Sequence, residues 1–434
     1  MDRREVLAAL LGAPFVVARS LRAQAVDLTS LSIAEAAKRL AARAITPLQL
    51  TNAYLARIAK LNPALNAYVT VTEDLARTDA RALREPRGAM WGIPIAHKDL
   101  FETKGVKTTA GSLLFEDHIP EHSAAIVDQL ANAGAVLLGK TNTHELGGGV
   151  TTINPFTGTT RNPVDPQRIA GGSSGGSAAA VVAHLCAAAT GSDTGGSVRI
   201  PAAFCGCVGF KPTHGRFSTR GLIAASPTFD HVGFLTRTVE DAQIMSGLSR
   251  DTLATTRIGV ARKYFFDELD PAVTSALNSV TASGQEIEVP VSAAAMRRMF
   301  DPIFAFEMWG RFGADWRTNP GSFSKSMAGF FATPRPSVAQ YEEALGALKE
   351  YQAAVDRLFD SVDVIITPTV PVTAPLIGGR IDGMKILRNT WPFNAAGTPA
   401  VSIPVRAGRF PVGLQLIARR GDDDKLLQIA RTFS

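Results

Sequence analysis

The chain has 434 residues, 45 Lys+Arg against 39 Asp+Glu, 46% hydrophobic and 19% charged residues, and 38 Gly beside 25 Pro. So long and apolar a chain buries a large core, which excludes a disordered tail and a disulfide-stapled miniprotein. The net charge of +6 comes without any run of five or more Lys/Arg, which removes a nucleic-acid-binding reading, and Cys186, Cys205 and Cys207 form no Cys-x-x-Cys, so no zinc or redox motif is expected.

Residues 1–25 have the form of an export leader. Arg3 and Arg4 precede an uncharged apolar run, Val6–Ala18, which is followed by Ala23-Gln24-Ala25. The run has 13 residues, fewer than the roughly 20 that span a bilayer, so a cleaved signal fits better than an anchor. The paired arginines resemble a twin-arginine signal, and export to a periplasm with no lasting membrane association is the expectation, with a cytoplasmic protein if the leader is misread. Its removal would leave +4 on residues 26–434.

Ser32-Ile33-Ala34-Glu35 and Thr46-Pro47-Leu48-Gln49 are helix starts with capping boxes, so helices are predicted over 33–43 and 47–60. Gly92–Ala96 and Ala135–Gly139 are short apolar runs expected as buried strands, with a helix over Ala124–Ala133 between them. The alternation argues an α/β fold. From Ser177 to Ala189 nearly every residue is small or apolar, which predicts a central helix with no wet face. Between about 255 and 360 a strand at Arg257–Val260 gives way to mostly helical patterning. Phe300, Phe304, Met308, Phe312 and Trp316 recur every four residues there; such a stripe either packs a helix on the core or in part lines an apolar ligand pocket, for which Phe304, Met308 and Phe312 are the candidates. A helix over Val338–Asp360 and strands at Val364–Thr367, Val401–Val405 and Gly413–Ala418 return the chain to the main sheet, and no linker or repeat divides it.

The chemistry concentrates between residues 92 and 200. Lys98 follows a buried strand, and two glycine-rich loops follow it, Gly171-Gly172-Ser173-Ser174-Gly175-Gly176-Ser177 and Asp193-Thr194-Gly195-Gly196-Ser197. Neither loop ends in G-K-[ST] or fits G-x-G-x-x-G after a strand, so nucleotide binding is not indicated. Gly172–Gly176 satisfies G-x-S-x-G, the elbow of α/β-hydrolases, but that order needs a late histidine and none follows His231. His144-Glu145 begins like H-E-x-x-H, yet position 148 is Gly and the second metal ligand is missing. There remains a serine hydrolase with lysine in place of histidine as base.

The segments Gly92–Asp99 (GIPIAHKD), Gly171–Ala180 (GGSSGGSAAA) and Gly191–Ala202 (GSDTGGSVRIPA) resemble the amidase signature family. The likeness continues through Phe210-Lys211-Pro212-Thr213, Gly221-Leu222-Ile223, Pro368-Thr369, Ala374-Pro375 and Gly413–Leu416, and is loose only over about 255–360. It implies one α/β domain with a large twisted mixed sheet flanked by helices on both faces. It further implies Ser197 as nucleophile, Ser173 after a cis peptide bond as bridging serine, and Lys98 as base, with the amides of Thr194, Gly195, Gly196 and Ser197 as oxyanion donors. The activity implied is cleavage of a carboxamide C–N bond through an acyl-enzyme, on a small-molecule amide, with no cofactor and no metal, and a homodimer is left open. The glutaminase-type A subunit of a tRNA-dependent amidotransferase belongs to the same family and is the alternative; an inactive binding protein of the same fold is another. The base carries a demand of its own. A free lysine with pKa about 10.4 is neutral in about one molecule in 2,500 at pH 7, so burial must lower that value, and Asp99 would oppose the shift if its carboxylate lay close.

Overall fold

Eleven strands form one mixed sheet in this computed structural model, which describes residues 27–223, 225–248, 256–278, 280–282, 284–405 and 408–434. In chain order they are β1 (Tyr68–Val71), β2 (Pro94–Lys98), β3 (Val136–Thr141), β4 (Ala188–Asp193), β5 (Val208–Lys211), β6 (His231–Thr236), β7 (Ile258–Val260), β8 (Gln285–Glu286), β9 (Val364–Pro368), β10 (Ala400–Val405) and β11 (Val412–Ile417). Across the sheet the order is β1-β3-β2-β4-β6-β5-β10-β11-β9-β7-β8. The strands β3, β2 and β4 run parallel, as do β8, β7 and β9, and every other neighbouring pair is antiparallel. Helices flank the sheet, and the protein is a single α/β domain. The proposed leader, residues 1–25, lies outside the described residues. No helix among the described residues is long and apolar enough to cross a membrane.

The early helices form where their caps place them. Ile33–Ala41 and Pro47–Leu65 each carry a reciprocal capping box, at Ser32 with Glu35 and at Thr46 with Gln49. The Ala-rich stretch from Ser177 to Ala189 is not one helix: the helix Gly175–Val182 stops and β4 starts at Ala188. His184 takes a left-handed φ of 56°, and Leu185 N–H donates back to Ala180 O at 2.7 Å, closing the last turn. Arg57 Nε donates to the freed Ala183 carbonyl at 2.7 Å. The stop therefore uses a non-glycine residue and a distant arginine, neither of which local composition announces. The helix, buried from Gly175 to Val181, is stapled to β4 by Ser177 Oγ, which donates to Thr190 O at 2.9 Å, and by Ser174 Oγ, which donates to Ser192 O at 3.2 Å.

The stretch 255–360 supplies β7 and β8 to the same sheet and the two long helices Ala293–Thr318 and Val338–Leu358, which pack on each other. The stripe Phe300–Trp316 does lie on the first of these, but it does not face one way. Each step of four residues advances about 40° around a helix, so Trp316 points about 160° away from Phe300. Phe300 and Phe304 consequently face one cavity, whereas Met308 and Phe312 are completely buried in the main core near Phe323, Met327 and Phe331. The assignment of Met308 and Phe312 to a substrate pocket is corrected on that ground.

Candidate active site

Strands β2 and β4 are adjacent and parallel, with Ile95 opposite Ala188 and Ala96 opposite Ala189, so their carboxyl ends emerge side by side. Because β3 and β4 lie on opposite sides of β2, this is a switch point of the kind outside which open α/β sheets bind ligands. Lys98 is the last residue of β2 and is completely buried. Its Nζ lies 2.7 Å from Ser173 Oγ and 2.8 Å from Ser192 Oγ. Ser192 stands inside the second motif but carries no distinguishing pattern, and only the pairing of β2 with β4 brings it to the amine. The Gly172–Ser173 peptide bond is cis.

Burial lowers the Lys98 pKa from its ordinary value to about 7, against the opposing pull of the Asp193 and Asp230 carboxylates. Asp99 takes no part. Its side chain accepts from Thr109 N at 3.0 Å and Thr109 Oγ1 at 2.6 Å and pairs with the buried Lys140 at 3.4 Å. His97 Nδ1 is within hydrogen-bond distance of Thr190 Oγ1, and burial depresses its pKa to about 3, so that ring is neutral. The aborted metal-like pair is also spent internally: His144 Nδ1 lies 3.2 Å from Thr151 Oγ1, and Glu145 is bonded to Ser112 and Ser324.

The turn that carries Ser197 is fixed from behind by a buried ion pair. Arg199 donates through Nε and Nη2 to the two oxygens of Asp193 at 3.0 and 2.8 Å, and Val198 N–H adds a third bond at 3.1 Å. Asn394 Nδ2 donates to Asp193 Oδ1 at 2.8 Å, and Gln415 Oε1 accepts from Arg199 Nη1 at 2.6 Å. These bonds hold the Asp193 carboxyl well below the usual range although burial pushes the other way. Thr390 Oγ1 donates to Gly195 O at 2.6 Å, and Thr194 Oγ1 donates to the buried Asp230 at 2.5 Å. Gly196 has φ +137°, and a Cβ there would come within 2.1 Å of Thr390 Oγ1, so no other residue fits. Ser174 N–H donates to Ser197 O at 3.1 Å, which docks the first serine loop on the second. The backbone N–H groups of Thr194, Gly195, Gly196 and Ser197 donate to no acceptor among the described residues.

Ser197, Thr194 and Gly195 open on a cavity of about 410 Å³. Its far wall is apolar, with Phe300, Phe304, Phe330, Met384, Leu387 and Trp391. Of the three aromatic-stripe candidates only Phe304 reaches it. Trp391 and Phe330 lie outside any helical periodicity that names a pocket and arrive by tertiary packing. Asp301 is the one charged lining side chain among the described residues, and it lies 3.9 Å from Arg297.

A buried amine bonded to a serine at the carboxyl edge of a mixed sheet, with a second serine on a glycine turn beside an apolar-walled cavity, has the form of a serine hydrolase that uses lysine. Residues 49–308 and 326–427 match the Amidase family model. The A subunit of glutamyl-tRNA(Gln) amidotransferase from Methylococcus capsulatus is 35% identical over 93% of this chain and 96% of its own length. A solved structure described as an amidase superposes with a TM-score of 0.86 at 32% identity, covering 93% of this chain and 99% of that one. The Thermotoga maritima glutamyl-tRNA(Gln) amidotransferase A subunit superposes at 0.77 with 32% identity, covering 94% and 95%. The chain belongs to the amidase family, and it is an enzyme of the class that hydrolyses amide C–N bonds.

Proposed function

We propose that the protein is an amidohydrolase for a carboxamide with an apolar acyl or aryl portion. Ser197 Oγ attacks the carbonyl carbon while its proton passes to Ser173 Oγ, whose own proton passes to neutral Lys98 Nζ. Ser192 accepts one N–H of that amine and keeps its lone pair turned toward Ser173. The amides of Thr194 to Ser197 stabilise the tetrahedral oxyanion, collapse breaks the C–N bond as the proton returns to the leaving nitrogen, and water resolves the acyl-enzyme by the same route. The observation that carries the substrate reading is the apolar cavity beside Ser197, with no Lys or Arg lining it among the described residues. Turnover of aryl and aliphatic amides by the purified protein, read as ammonia or amine release, is expected to vanish in Ser197→Ala with the fold intact. Retention of wild-type turnover in that variant overturns the assignment.

The names of the curated relatives favour a second reading, the glutaminase-type A subunit of an amidotransferase. Glutamine carries an α-carboxylate and an α-ammonium, and a buried charge needs a charged or hydrogen-bonding partner. Among the described residues lining the cavity the one charged side chain is Asp301, and the nearest cation in the adjoining cavity that shares Met384 and Leu387 is Arg380, so the walls beside Ser197 themselves offer the carboxylate no cation, which supports the first reading. Glutamine turnover exceeding that of aryl amides, with copurification of partner subunits on coexpression, would reverse the order. The export reading rests on residues 1–25, and fractionation of the full chain against an Arg3,Arg4→Lys,Lys variant tests it.

A further inference from the structure

Glu145 stands two residues before the stretch of chain that lines the cavity at Gly147–Gly149 and takes no part in the lysine–serine group. It is 1% exposed. No Lys, Arg or His among the described residues is paired with it, and burial pushes its carboxyl upward. Its oxygens accept from Ser324 N at 3.1 and 3.2 Å and from Ser112 Oγ at 3.0 Å. A buried carboxylate without a cation costs free energy, so an apolar side chain would be the cheaper filling unless the oxygens are needed as acceptors.

What they hold is the start of a cavity wall. Ser324 caps the helix Lys325–Phe331, its Oγ accepting from Met327 N at 3.3 Å. Within that helix Met327 packs on the opposite segment, since a Cβ at Gly148 would come 2.9 Å from Met327 Sδ. Phe330 meets Phe304 edge to face at 5.8 Å, and both line the cavity. On its other side Glu145 adjoins the serine loop: His144 N–H donates to Ser173 O at 3.1 Å, and a Cβ at Gly147 would lie 3.7 Å from Ser173 Oγ. Ser324 belongs to residues 309–325, the internal stretch that the family model leaves unmatched, while Glu145 lies in the matched part.

We propose that Glu145 is a specificity-positioning residue: by holding Ser324 N–H it sets the helix Lys325–Phe331 against Gly147–Gly149, so that Phe330 forms the wall that receives the apolar part of the amide. The inference rests on the apolar-amide reading above. The test is a double-mutant cycle of Glu145→Ala and Phe330→Ala, with benzamide and acetamide as substrates. In Glu145→Ala the KM for benzamide rises about tenfold while kcat and the turnover of acetamide stay within about twofold, and adding Glu145→Ala to Phe330→Ala costs less than about twofold more. Glu145→Gln falls between, since one acceptor oxygen survives. Equal losses on both amides, or effects of the two substitutions that multiply, overturn the positioning role. Should Glu145→Ala fail to melt cooperatively, Glu145→Gln and its pair with Phe330→Ala close the same cycle. A wild-type enzyme that shows no preference for benzamide over acetamide overturns the apolar-amide reading itself, a result distinct from failure of the cycle.

Discussion

Replacing Lys98 by Met removes the proposed base and should also change how the stability of the protein depends on pH. Lys98 is completely buried and its pKa falls from 10.5 to about 7. Above pH 10.5 the amine is neutral in both folded and unfolded chains and costs nothing. As pH falls toward 7 the unfolded chain binds a proton that the folded chain does not, so stability is lost progressively through that window. The loss amounts to about 4 kcal/mol at pH 7, of which about 2 kcal/mol is recovered by pH 9. In Lys98→Met this contribution is absent, while the hydrogen bonds lost to Ser173 and Ser192 add an offset that does not vary over the same range. The buried Lys140 and Lys211 are common to both proteins and cancel. Urea denaturation of wild type and Lys98→Met at pH 7, 8 and 9 should therefore show the wild type gaining about 2 kcal/mol relative to the variant across the series. Parallel stability profiles would mean that Lys98 is charged in the folded protein, and would refute the base assignment at its root.

Three further outcomes follow from the site. The acid limb of kcat/KM should fall near pH 7, and Asp230→Asn, which removes one of two carboxylates favouring the protonated amine, should move that limb to lower pH; an unmoved limb would exclude Asp230 from the electrostatics of Lys98. Arg199→Met leaves Asp193 buried without its cation and should destabilise the protein by about 3–5 kcal/mol in urea unfolding, whereas a loss under about 1 kcal/mol would show that Asn394 and Val198 suffice. Gly196→Ala drives a Cβ into Thr390 Oγ1 and should lower kcat by about 100-fold or more by displacing the proposed oxyanion amides, with circular dichroism unchanged; retained turnover would place those donors elsewhere.

The sequence by itself determined the α/β class, the early capped helices and the residues that meet at the sheet edge. Those features are local: a capping box, a run of buried strand residues, and glycine–serine loops whose backbone conformation few other residues permit. The residues that surround Lys98, Ser173 and Ser197, the proposed catalytic group, were decided only by tertiary structure. Ser192 reaches the amine because β4 pairs in parallel with β2, and Asp99 turns away because Thr109 and Lys140 claim its oxygens. Thr390, Asn394 and Gln415 stand about 200 positions from the turn they brace. The aromatic stripe shows the limit most clearly. A four-residue recurrence fixed the helix but not its facing, because the repeat precesses around the axis, and packing sent Phe304 into the cavity while Met308 and Phe312 went into the core. Local pattern sets which backbone a segment adopts; which side chains then share a space depends on pairings between segments far apart in the chain, and no local pattern records them.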